Sequence, residues 1–108
     1  METQTTTKIL LYGNSILMAG LSSKLQQADG LEVEHMDGEI IGDLSDVDLI
    51  VVDLWDVKVP MALPKLSVNP NAVLVGLDAL TDTATVLAGQ PRSTVSMQRI
   101  MDLLQEAM

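Results

Sequence analysis

The run Asp48-Leu49-Ile50-Val51-Val52-Asp53-Leu54 does most to limit what this chain can become. Its aliphatic stretch carries no polar residue, so a strand built from it must be buried on both faces. That is the signature of a central strand in a parallel sheet covered by helices. Open sheets of this kind present their working groups beyond the carboxyl ends of the strands. Asp53 is the acid delivered to that position.

The flanking sequence supplies the remaining elements. Lys8 to Tyr12 reads as a short apolar strand, and Gly13-Asn14 turns the chain into a helix from about Ser15 to Ala28, with Asn14 as its N-cap. Ile16, Leu17, Gly20, Leu21, Leu25 and Ala28 form the face expected to be buried. Asp29-Gly30 ends that helix. Leu31 to Met36 alternates apolar with polar residues, as a half-buried edge strand does. A short helix with Ile40, Ile41 and Leu44 leads into the central strand. Pro60 and Pro64 confine the next helix to about Pro60 to Leu66, ahead of a strand that begins at Ala72.

The following connection breaks the alternation of strand and helix. Only five residues separate Leu77 from the β-rich run Thr83 to Ala88, whereas a parallel crossover takes about ten or more. Val73 to Leu80 and Thr83 to Gly89 therefore read as an antiparallel hairpin that turns near Thr81-Asp82, with a helix omitted. Gln90-Pro91-Arg92 breaks the last strand. Ser93 or Thr94 then caps a final helix whose Met97, Ile100, Met101, Leu104 and Met108 form a buried stripe.

Composition narrows the function classes. The chain has 108 residues and a net charge of -9, from 15 acidic against 6 basic side chains. Such a surface opposes phosphate backbones and anionic membranes, so neither nucleic acid nor membrane is an expected partner. The apolar runs are far shorter than the roughly 20 residues of a membrane span. Residues 1–7 read as a disordered polar tail without the order of a signal peptide, and 8–108 as one stand-alone domain. There is no cysteine and one histidine, which leaves no expected cofactor or metal and makes the cytoplasm the expected compartment. Phe is absent, so seven methionines fill space that rings would otherwise take.

Several residues at the carboxyl edge have competing readings. Asp53 is a recognition acid on one reading, and a solvated cap of a strand end on the other. Asp56 adds a second carboxylate, and Gly13-Asn14-Ser15 opens a helix where free N–H groups could meet an anion. Gly13, Asn14, Asp53, Asp56 and Asp78 together make the candidate ligand edge. Trp55 is either an exposed partner anchor or a roof over the aliphatic core, and His35 is expected to face solvent. Thr83 and Thr85 lie on a final strand with no lysine, proline or charge to block pairing. With Met97 and Met101 of the last helix they form the candidate interface, and a homodimer is expected.

Ile9 through Leu21, Asp48 through Leu54 and the helix after Ser93 resemble the receiver domain of two-component response regulators, in the branch that precedes helix-turn-helix output domains. The resemblance implies a flavodoxin-like, three-layer α/β/α sandwich with a five-stranded, mostly parallel sheet in the order 2-1-3-4-5, here with its last strand reversed. It also implies a chemistry that this chain has largely given up. Such a receiver holds magnesium with two acids after the first strand, and uses an aspartate after the third, a hydroxyl after the fourth and a lysine after the fifth. Asp53 stands at the phosphoacceptor position. Tyr12 and Gly13 replace the acid pair, Leu77 or Asp78 the hydroxyl, and Gln90 the lysine. The chain thus resembles a pseudo-receiver with no catalytic residues and an unidentified protein partner. Small-ligand or nucleotide binding at the carboxyl edge is the alternative, followed by an active phosphoacceptor at Asp53. A sugar-transport phosphotransfer subunit would need a cysteine or histidine in the first turn, where Gly13-Asn14 offers neither.

Overall fold

A computed structural model describes residues 7–13, 15–27, 30–36, 46–56, 72–78, 80–81 and 83–89, with single positions at 60, 64, 66, 102 and 104. The strands β1 (Thr7–Tyr12), β2 (Leu31–Met36), β3 (Leu49–Asp53), β4 (Val73–Asp78) and β5 (Thr83–Ala88) form one sheet. Helix α1 spans Ile16–Gln26. The spatial order is β2-β1-β3-β4-β5. All neighbours are parallel except β4 and β5, which are antiparallel. The chain is an α/β protein with a flavodoxin-like sheet, its last strand reversed as the short connection demands.

Period-two alternation divides the aliphatic strands between two cores. Ile9, Leu11, Leu49, Val51, Val73, Val75 and Leu77 face one way, where Met18, Leu21 and Leu25 of α1 and Leu104 cover them. Leu10, Tyr12, Ile50, Val52 and Leu74 face the other way, against Val47, Leu66 and Ala72. Pro60, Pro64 and Leu66 are helical, as are Asp102 and Leu104, so apolar layers with helical residues lie on both faces of the sheet. β3 is buried along its whole length, as its composition requires. Among the described residues no helix is long and apolar enough to cross a membrane.

Several boundaries differ from the sequence reading. Thr7 belongs to β1 rather than to a tail: it pairs with Leu31, and its N–H donates to the Gly30 carbonyl at 3.0 Å. The cap of α1 is Ser15, whose Oγ accepts from the Met18 N–H at 3.2 Å. In the helix that follows, Met18, Leu21 and Leu25 are buried while Ile16 is 93% exposed and Gly20 is exposed. β4 ends at Asp78, two residues early, because the Asp78 carboxylate accepts from the Leu80 and Thr81 N–H groups and closes the turn. β3 starts at Leu49 because the Asp48 side chain accepts from the Lys8 N–H at 2.9 Å, closing the strand's amino end against β1. Ile40, Ile41, Leu44, Ala28, Gln90, Ile100, Met108 and the tail 1–6 lie outside the described residues.

Gly76 interrupts an otherwise aliphatic β4 and sits on the face of Leu74. A side chain there would meet Leu54 Cδ2 at 2.7 Å and Leu87 Cδ1 at 3.0 Å. Leu87 is the extra residue of a β-bulge: β4 advances one residue, Leu74 to Val75, while β5 moves two, from Ala88 to Val86. The bulge re-aims Leu87 across Gly76 toward Leu54. These two side chains cover the sheet where a crossover helix between β4 and β5 would otherwise lie. They do so incompletely, at 39% and 41% exposure.

Candidate functional site

The parallel strands β1, β3 and β4 end at one edge, at Tyr12, Asp53 and Asp78. Just beyond β1, Gly13 has φ +140°. Its N–H donates to the Met36 carbonyl at 3.0 Å, and its carbonyl accepts from the His35 Nε2 at 2.5 Å. Both polar groups of the turn are therefore held by β2, and the His35 proton belongs on Nε2. His35 is exposed although it shares the strand parity of the core-facing Leu31 and Val33, and its ring is fastened to the backbone.

Glycine at this position lets the chain pass close to the acids. A Cβ on residue 13 would lie 3.5 Å from Asp53 Cβ and 3.3 Å from Asp56 Oδ2. Gly13, Asp53 and Asp56 thus lie close together, while Asn14 lies outside the described residues. Asp53 is not the solvated cap of the plainer reading. It is 4% exposed, and its Oδ1 accepts from the Trp55 N–H at 2.9 Å while its backbone carbonyl accepts from the Asp56 N–H at 3.1 Å. The acid does cap the strand end, but from inside, because Gly13 closes over it.

Asp78 is joined to the same system through the indole. Trp55 Nε1–H donates to Asp78 Oδ1 at 2.7 Å. The two N–H groups of Trp55 therefore reach the carboxylates that end β3 and β4. That pairing, together with the turn amides of Leu80 and Thr81, stabilises the charged form of Asp78 and holds its carboxyl below the usual carboxylate range, with the Trp55 contact the largest cause. Trp55 is 59% exposed, so it is no roof over the core.

Other parts of the edge lack acid groups. Tyr12 is buried in the second core, and no carboxylate projects from the end of β1. Leu77 pairs with Asp53 in register and is fully buried. β5 begins beside Asp78 and ends with Ala88 against Leu74, so it runs away from Asp53. Among the described residues no three His, Asp or Glu side chains gather as a metal site. Thr83 and Thr85 are exposed along the outer strand, whereas Met97 and Met101 lie outside the described residues.

Sequence reasoning named Trp55 as an exposed anchor on one reading, but did not name Leu54, Leu80 and Leu87. Leu54, Trp55, Leu80 and Leu87 are all exposed, and the first and last meet over Gly76. The available signal was Gly76 itself, since a glycine within an aliphatic strand marks a close approach.

This sheet, with a carboxyl edge formed by parallel strand ends, defines the flavodoxin- or Rossmann-like class of α/β folds. In agreement, the chain superposes on a DAP dehydrogenase from C. glutamicum in complex with DAP, with a TM-score of 0.50 and 13% sequence identity. The superposition covers 95% of this chain and 32% of the dehydrogenase, so the chain spans about a third of that protein's length, and the likeness is one of fold. No known sequence family and no curated protein matches the chain.

Proposed function

We propose that this chain is a receiver-like regulatory domain that acts through protein contacts and has lost metal-dependent phosphoacceptor chemistry. The observation that carries this reading is the engagement of both strand-end acids by Trp55, with N–H donors 2.9 Å from Asp53 and 2.7 Å from Asp78. Phosphoryl transfer to an acid depends on cations that offset charge building on the phosphoryl oxygens. In this chain Tyr12 and Gly13 stand where a receiver carries its acid pair, and β5 leads away from Asp53. The carboxyl edge then serves as a clasp joining β3 to β4, and the exposed apolar side chains beside it serve recognition. The domain is a non-enzymatic, cytoplasmic protein on this reading, and its partner is another protein.

Intact-mass measurement with magnesium and acetyl phosphate tests the loss of chemistry. No mass gain is expected in the wild type or in Asp53→Asn. A phosphate adduct that disappears in Asp53→Asn would overturn the reading.

A second reading, small-ligand or nucleotide binding, draws on the approach of Gly13 to Asp53 and Asp56 at the edge where sheets of this type take ligands. A nucleotide that raises the melting temperature of the wild type but not of Gly13→Val would favour it.

A further inference from the structure

The two edges of the sheet are chemically unlike. β2 carries exposed Glu32, Glu34 and His35. Two copies meeting there would set carboxylate against carboxylate, which destabilises cross-strand pairing. β5 has no charged residue and no proline from Thr83 to Ala88, within a chain of net charge -9. It is the last strand of the sheet, and among the described residues no strand pairs with its outer side. Exposed Thr83, Thr85 and Leu87 lie along it, and Leu87 continues into the exposed Leu54 and Trp55. An unprotected edge beside an apolar patch is a template for another strand.

We infer that the occupant is β5 of a second copy, paired antiparallel about a two-fold axis perpendicular to the sheet. This deepens the interaction reading above and names its partner. The operation keeps each face of the sheet on its own side and joins two five-stranded sheets into one. It also fixes the register. Opposed residues must point to the same face, so the axis passes through a residue and not between two. Centring on Val86 would put the Leu87 bulge right beside the axis, whereas centring on Thr85 leaves it at the end of the paired stretch, with Thr85 against Thr85 and Thr83 against Leu87 of the partner subunit. Each Leu87 then lies one strand from the partner's Asp78, which holds the partner's Trp55. A stable dimer covers about 800 Å² per partner, a modest share of the 6638 Å² surface of this chain. The strand edge and the patch beside it lie together on one side of the molecule.

The chain has no cysteine, so an introduced one is its sole thiol. Sedimentation of the wild type is expected to give twice the chain mass. Thr85→Lys, which sets like charges opposite each other at the axis, is expected to give the single mass with unchanged circular dichroism. Under mild oxidation Thr85→Cys is expected to form a disulfide-linked dimer, whereas Ser23→Cys on exposed α1 is not. A wild type that stays monomeric as its concentration is raised would overturn the inference, as would a Thr85→Lys dimer or equal cross-linking at positions 85 and 23. None of these results depends on whether Asp53 takes up phosphate.

Discussion

Gly13 and Trp55 decide what Asp53 can be. The residue-13 φ of +140° is strained for any side chain, and a Cβ would press on Met18 Cγ and Asp56 Oδ2, both at 3.3 Å. Gly13→Ala is therefore expected to lower unfolding free energy by about 1–3 kcal/mol, measured by urea melting. Asp78 responds to acid instead. Its folded carboxyl lies below the ordinary value because the Trp55 indole N–H and then the turn amides favour the charged form. A depressed folded value means its stabilisation is complete above the unfolded value of about 3.9 and is lost as pH falls through the lower folded one. Trp55 is the only tryptophan, so its emission reports this directly. An acid titration should show a change below about pH 4 that is absent in Asp78→Asn. Little of this was legible in sequence. Asn14 and Ser15 are both good caps, and the burial of Asp53 depends on the later approach of Gly13.

Strands were easier to read than the contacts that finish them. β1, β3 and β4 followed from aliphatic runs that must be buried on both faces, and the β4–β5 hairpin from a connection too short to recross the sheet. The face of α1 was read correctly at Leu17, Leu21 and Leu25 but not at Ile16 and Gly20, which make an equally plausible stripe with them and are exposed. Only packing against Ile9 and Leu11 selects Met18, Leu21 and Leu25. Gly76 provides the test at this scale. Gly76→Val forces its side chain into Leu54, already 2.7 Å from a built Cβ, and is expected to cost about 1–3 kcal/mol by overpacking. Adding Leu54→Ala should recover part of that loss in a double-mutant cycle of thermal or urea melts. Additive losses would show that Leu54 and residue 76 do not share this space.

For the whole molecule, charge and shape act in opposition. Two chains of net charge -9 repel at long range, while the meeting strands are uncharged. Salt screens the repulsion and leaves strand pairing and apolar burial largely intact. The dimer fraction in sedimentation is therefore expected to rise between low and moderate salt, whereas an interface built on ion pairs would loosen. The class of fold and the open edge could be seen in the sequence, because spacing and missing charges are local facts. The clasp from Trp55 to Asp53 and Asp78 could not, since it joins strand ends that meet only in the assembled sheet.

The reversed last strand also bears on how the chain assembles in time. Every other strand pair is parallel and must wait for a long connection to close, which is entropically slow. β4 and β5 are joined by residues 79–82 alone, a closure of the kind that hairpins complete in about 1–10 μs. The hairpin can therefore form before the rest of the sheet. Once β5 occupies one side of β4, only the other side is left for β3.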